Sequence, residues 1–212
     1  HDLMPLGIFR GITTNPLLAA RAGMISGDID WPGMVQQAAD CGAKELHAQV
    51  FGPPDTHADW ASRLLDAGTT SGVRVVVKVP LVEQALRSVP ELRRRQCPIL
   101  LTACYDAKQM FVAQALRAEY IAPYFGRMLD AGMPAYEHLA RMIEASGKAG
   151  HKPRVLAASL RSVEQITKLA ELGCDCFTIS PALAREVLHH PLTEAAYAEF
   201  ETAARAARPE TP

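Results

Sequence analysis

Residues 73–80 read Val73-Arg-Val-Val-Val-Lys78-Val-Pro80, five valines in eight positions with one lysine near the end. β-Branched side chains suit a pleated strand, and the turn-formers Gly68, Gly72 and Pro80 bracket the run. With a period of two, Val73, Val75, Val77 and Val79 face one side and Arg74, Val76 and Lys78 the other. The stretch reads as a buried strand with Lys78 at its C-terminal end. By itself it also permits the ordinary fate of a lysine, a strand-end ammonium reaching solvent.

The neighbouring segments repeat one pattern. Gly7–Asn15 reads as a strand, and Pro16 can open a helix over Leu17–Ala22. A second helix covers Trp31–Cys41. Glu45–Phe51 alternates as a strand with His47, Gln49 and Phe51 on one face, and Thr56–Ala67 is an amphipathic helix leading into the lysine strand. Beyond it come a helix over Leu81–Arg95 with a break near Pro90, a strand at Pro98–Tyr105, a helix at Ala107–Arg117 and a strand at Glu119–Phe125. A loop through Arg127 follows, then a helix at Ala135–Ser146 and a strand at Arg154–Leu160. Ser162-x-x-Gln165 is a capping-box signature opening a helix to Leu172. Cys174–Ser180 is the last strand, with helices at Leu183–His189 and Thr193–Arg208 after it. Seven strands with short helical connections require parallel pairing. The expectation is an α/β chain forming a (β/α)₈ TIM barrel over residues 1–192, short of its first strand, with an extra helix over 193–212.

The composition narrows the function classes. At 212 residues and 49% hydrophobic content the chain suits one full core. A formal net charge of −1 provides no basic field for nucleic acid or a membrane surface, so an anion site must be local. No apolar run approaches the ~20 residues of a membrane span, and no signal peptide is recognisable, so a cytoplasmic location is expected. Cys41, Cys97, Cys104, Cys174 and Cys176 lack CxxC pairing and read as small hydrophobes rather than a disulfide framework or zinc site.

Active sites in such barrels lie at the C-terminal strand ends. The inward positions there are Thr13, Asn15, Gln49, Lys78, Thr102, Tyr124 and Ser159. Several strands each ending in a hydrogen-bonding residue is poorly explained by packing, since buried polar groups need partners. A lysine desolvated in that setting can hold a free amine near neutral pH, attack a ketone and form a Schiff base, whose iminium stabilises a carbanion for making or breaking a C–C bond. No metal or other cofactor is needed.

With these residues assembled, the chain resembles the transaldolase family, and within it the small branch typified by fructose-6-phosphate aldolase. The matching motifs are Gly11-Ile-Thr-Thr-Asn-Pro16, Ala48-Gln-Val50, Val75-Val-Val-Lys-Val-Pro80, Thr102-Ala-Cys-Tyr105, Ala118-Glu-Tyr-Ile-Ala-Pro-Tyr124 and Val155-Leu-Ala-Ala-Ser159, in family order. The resemblance implies that Lys78 is the Schiff-base lysine, that Asn15 and Thr13 bind substrate beside it, and that Ala122 shapes the donor pocket. Transaldolases proper carry Glu and Phe where this chain has Gln49 and Tyr124; the aldolase branch carries these residues. Tyr124 would then hold the catalytic water and act as acid and base, with Gln49 and Thr102 positioning it. Arg127, Ser159 and Arg161 resemble a clamp for the acceptor's phosphate. The implied activity is reversible cleavage of fructose 6-phosphate or a related ketose into dihydroxyacetone or hydroxyacetone and an aldehyde such as glyceraldehyde 3-phosphate. The alternatives are transfer of a dihydroxyacetone unit between sugar phosphates and, in another class, an inactive sugar-phosphate-binding barrel. A homo-oligomer, pentamer or decamer, is implied, with the terminal helix on a neighbouring subunit. The family's first strand carries an Asp for the donor hydroxyls; Asp2 lies too close to Thr13–Pro16 to supply it, and roughly a dozen further residues are expected upstream.

Other features have plainer readings. His189-His190 before Pro191 reads as a solvated helix end, since a class II aldolase metal needs about three converging ligands and His47 stands alone on its strand. Arg93-Arg94-Arg95 reads as a charged last turn that complements the helix dipole. Trp31 and Trp60 read as packing residues.

Overall fold

The computed structural model describes residues 2–148 and 150–206. Seven parallel strands pair in chain order: β1 (Gly11–Thr13), β2 (Glu45–Gln49), β3 (Arg74–Pro80), β4 (Ile99–Cys104), β5 (Tyr120–Pro123), β6 (Arg154–Ala157) and β7 (Cys176–Phe177). The helices are α1 (Pro16–Arg21), α2 (Trp31–Asp40), α3 (His57–Ser71), α4 (Glu83–Leu86), α5 (Val89–Arg94), α6 (Gln109–Ala115), α7 (Phe125–Asp130), α8 (Ala135–Lys148), α9 (Val163–Glu171), α10 (Pro181–Leu188) and α11 (Pro191–Ala206). Every strand-to-strand connection carries at least one of them, as parallel pairing demands.

The sheet curls. The Tyr120 hydroxyl on β5 donates to Glu45 Oε2 on β2 at 2.9 Å, across the concave face. At the two edges the hydroxyls of Thr13 and Thr178 meet at 2.8 Å, although no backbone pairing joins β1 to β7 among the described residues. The curl divides the apolar side chains into two layers. Val76, Leu100, Tyr120, Ala122, Leu156 and Ala158 fill the concave side. Val75, Val77, Val79, Ile99 and Leu101 pack outward against helix residues such as Leu64, Met110, Leu139 and Leu169. The two-residue period of the valine strand therefore sorts its side chains as expected, with Lys78 on the parity of inward Val76.

The described sheet has the seven strands expected of a barrel short of its first, and the eight-strand closure of a complete barrel is not seen among the described residues. Other expectations change. The first strand shrinks to three residues, preceded by a 3₁₀ turn at Met4–Leu6. The last shrinks to two, because Ser180 turns away to cap α10, its hydroxyl accepting from Leu183 N. The helix of Leu81–Arg95 is two short pieces, and Pro90 sits in the first turn of the second, where its missing N–H costs nothing. Arg127 lies in a helix, α7, rather than a loop.

Helix α7 starts immediately after β5 because Gly126 allows it. A Cβ there would stand 2.0 Å from the Ser159 carbonyl oxygen, so only glycine lets the first turn of α7 close on the end of β6. Ser159 itself has φ +63°, a left-handed conformation unusual for a non-glycine residue. The capping box of α9 forms only in part: the Ser162 hydroxyl accepts from Gln165 N, while the Gln165 side chain accepts from Arg161 N. Trp31 and Trp60 pack edge-to-face with centroids 5.3 Å apart. Helix α11 buries none of its residues, and Tyr197 and Phe200 are 64% and 70% exposed.

Candidate active site

Lys78 lies on the inward row near the C-terminal end of β3, in register with Gln49 of β2 and Leu100 of β4. It is only 6% exposed, and its Nζ donates to the Thr14 carbonyl oxygen at 2.7 Å. Burial pushes its pKa down to about 8, because the ammonium loses hydration, and no carboxylate among the described residues lines its cavity. The Thr13-Thr14-Asn15-Pro16 turn is held beside it by a cap: Asn15 Oδ1 accepts from Leu18 N at 2.9 Å and Pro16 opens α1. This engages the Asn15 carbonyl oxygen in the helix and leaves its amide NH₂ for the cavity.

The cavity over Lys78 measures about 340 Å³. Of the residues expected at the site, Thr13, Asn15, Lys78, Thr102, Ala122, Tyr124, Arg127 and Ser159 line it. The Thr102 hydroxyl donates to the Tyr124 phenol oxygen at 3.2 Å, and the Arg127 guanidinium lies 4.9 Å from the centre of the Tyr124 ring. The stacking fixes Arg127 and the phenol relative to one another. Together these groups combine an amine that is partly free at neutral pH, a phenol with a hydroxyl neighbour, and a guanidinium. That set can form an imine, move a proton beside it and hold an anion.

Two expected residues stand apart. Gln49 keeps the inward parity but does not line the cavity. Arg161 is drawn off by Asp130, which binds both its terminal nitrogens, and it too is outside the lining. Three polar residues not anticipated from the sequence are present: Arg21 at the end of α1, Thr178 beyond β7 and the α10 cap Ser180. Thr178 follows the shortened last strand; it lies inside the expected strand Cys174–Ser180, on the parity of Cys174 and Cys176, and that alternation could have marked it.

A larger cleft, about 520 Å³, opens near the N-terminal strand ends between β1 and β7. Its charges are spent on each other. Glu45 accepts from Arg10, Arg74, His47 and Tyr120. Burial opposes its ionisation, but the bonds from His47, Arg10 and Tyr120 outweigh this and hold the carboxyl well below the usual range. Arg154 pairs with Asp175, and Asp2 with Arg185. Asp2 lines this cleft and not the Lys78 cavity, and His47 faces Glu45 rather than a ligand set. The His189 ring bonds Glu194 at the surface.

Comparison with known proteins bears on the fold and the family. A solved structure of mandelate oxidase with (S)-2-phenylpropionate superposes with a TM-score of 0.51 at 19% identity, over 68% of this chain and 51% of the oxidase, and that likeness is one of fold alone. The chain thus spans about half the length of that enzyme. A probable transaldolase of Phenylobacterium zucineum is 32% identical over 202 residues, covering 94% of this chain and 88% of the relative. One from Moorella thermoacetica is 29% identical, covering 92% and 87%. The profile described as Transaldolase/Fructose-6-phosphate aldolase matches residues 1–210, and the chain belongs to that family.

Proposed function

We propose that the chain breaks and makes the C–C bond of a ketose phosphate through a Schiff base on Lys78. The observation that carries this reading is a lysine 6% exposed, with its pKa pushed down to about 8, at the floor of a cavity that also holds a phenol and a guanidinium. The neutral Nζ attacks the C2 carbonyl, water leaves, and a protonated imine forms. Loss of the C4 hydroxyl proton breaks C3–C4, releasing an aldehyde and leaving the electron pair in an enamine on Lys78. Tyr124, with Thr102 hydrogen-bonded to it, is the group suited to take and return that proton, directly or through a water.

The enamine has two fates. Protonation at C3 and hydrolysis release dihydroxyacetone; attack on a second aldehyde transfers the three-carbon unit. The relatives' names favour transfer. The Tyr124–Thr102 pair favours release, because a phenol at the carbanion's edge can protonate it. Gln49, which does not line the cavity, lends that reading no support. Helix α11, with its exposed Tyr197 and Phe200, is suited to pack on another subunit of a homo-oligomer.

Borohydride reduction in the presence of dihydroxyacetone, followed by peptide mass analysis, should show one adduct on Lys78 and none in Lys78→Ala. An unmodified wild-type chain overturns the Schiff-base reading. Parallel assays for free dihydroxyacetone and for sedoheptulose 7-phosphate from erythrose 4-phosphate separate release from transfer. Tyr124→Phe should lower the cleavage rate by roughly 10²–10⁴ if the phenol carries the proton.

A further inference from the structure

The cavity over Lys78 has cations on its wall and no carboxylate. Lys78, Arg21 and Arg127 line it, and no Asp or Glu does so among the described residues. In a chain with 22 basic and 23 acidic residues, that local imbalance is not inherited from the composition. Most described arginines spend their guanidinium on a carboxylate: Arg10 and Arg74 on Glu45, Arg95 on Asp59 and Glu91, Arg154 on Asp175, Arg161 on Asp130. Among the described residues, neither Arg21 nor Arg127 has such a partner. Arg127 is held by the Tyr124 ring, and Arg21 is free at the cavity rim.

The two reach the rim from different parts of the fold. Arg127 comes from α7, after β5, and Arg21 from the last turn of α1, after β1. Helix α1 presents Leu17 and Arg21, four residues apart and therefore on one face, to the same cavity. The Asn15 cap and the Lys78–Thr14 bond anchor the start of that helix, so the position of Arg21 is tied to the position of the lysine. Arg161, which the family resemblance implies as the second guanidinium, is paired with Asp130 instead.

We propose that Arg21 is the second guanidinium of the anion site at the cavity mouth and that, with Arg127, it selects substrates carrying a phosphate monoester at the end remote from the imine. Each guanidinium can give a phosphate two parallel N–H···O bonds and offset its charge, whereas a neutral aldehyde leaves both in water and gains neither. This rests on the reading of Lys78 as an imine-forming lysine. The discrimination lies in binding and not in the bond-breaking step.

The test is Arg21→Gln, with Arg21→Lys beside it, in condensation of dihydroxyacetone with glyceraldehyde 3-phosphate and with unphosphorylated glyceraldehyde. The ratio of kcat/KM for the two acceptors should fall roughly 10- to 100-fold in Arg21→Gln, the usual range for a lost charge-assisted bond, mostly through KM. Arg21→Lys should recover part of it. Inorganic phosphate titrated by calorimetry gives a readout independent of turnover: binding should weaken by a similar factor in Arg21→Gln. An unchanged acceptor ratio in a variant that still traps at Lys78, or equal losses with both acceptors, overturns the role of Arg21. Phosphate affinity equal to wild type does the same even if no condensation is found. Failure of wild-type trapping at Lys78, by contrast, removes the imine reading while calorimetry still decides the anion site.

Discussion

Desolvation of Lys78 should make it the most reactive lysine of the chain at neutral pH, and pH is the perturbation that measures this. With a pKa of about 8 in place of 10.5, the free-amine fraction at pH 7 is roughly one in eleven rather than about 0.03%, a gain of about 300-fold. The assay is limiting acetic anhydride at pH 6 to 10.5, with each lysine followed by peptide mass spectrometry. The Lys78 rate should rise about tenfold per unit up to pH 7.5 and flatten above pH 8.5, whereas a lysine of ordinary value keeps climbing to about pH 10. Access through the cavity lowers the Lys78 plateau but not its midpoint. The same shift has a stability sign. A lysine whose folded pKa is depressed binds fewer protons in the folded state, so this group's contribution improves as pH rises from about 8 to 10.5. At neutral pH the buried ammonium costs about 3 kcal/mol, which Lys78→Met should recover in part. A Lys78 acetylation rate still rising tenfold per unit between pH 9 and 10 would refute the desolvation argument.

Further outcomes follow from the packing. Glu45→Gln should destabilise the fold by about 2–4 kcal/mol at pH 7, since it removes a buried charge facing four donors, two of them on half-exposed arginines that discount the electrostatic part. Because the carboxyl is held below its ordinary 4.5, its contribution is whole above that value and lost as pH falls through the folded value, so the difference from wild type in urea melts should narrow toward pH 2. Gly126→Ala should cost about 1–3 kcal/mol and weaken phosphate binding, as the new Cβ pushes on the Ser159 carbonyl between two cavity-lining residues; a thermal melt and phosphate calorimetry matching wild type would contradict it. Tyr197→Ser with Phe200→Ser should lower the molar mass measured by light scattering if α11 joins subunits, and a monomer in both wild type and variant rules that out.

What the sequence determined by itself was local and periodic. A two-residue alternation sorts Val73 to Val79 from Lys78 because strand geometry alone sets which face a side chain takes. Asn15-Pro16 and Ser162 announce helix starts because a cap acts within three residues. The order of the strands followed from the alternation of these units, and eight of ten expected site residues line one cavity because parallel strands bring their C-terminal ends together. Tertiary structure decided whatever depends on partners far along the chain. Arg161 is lost to Asp130, 31 positions away, and no local period reports that. Arg21 enters the cavity because of how the Asn15 cap sets α1 over the sheet edge. His47 lies inward as its alternation predicts, yet its neighbours are Glu45 and Tyr120, the latter from three strands away, because the sheet curls. The same curl removes water from Lys78, and only the curled sheet with its flanking α1 turn gives a lysine at a strand end a pKa of about 8.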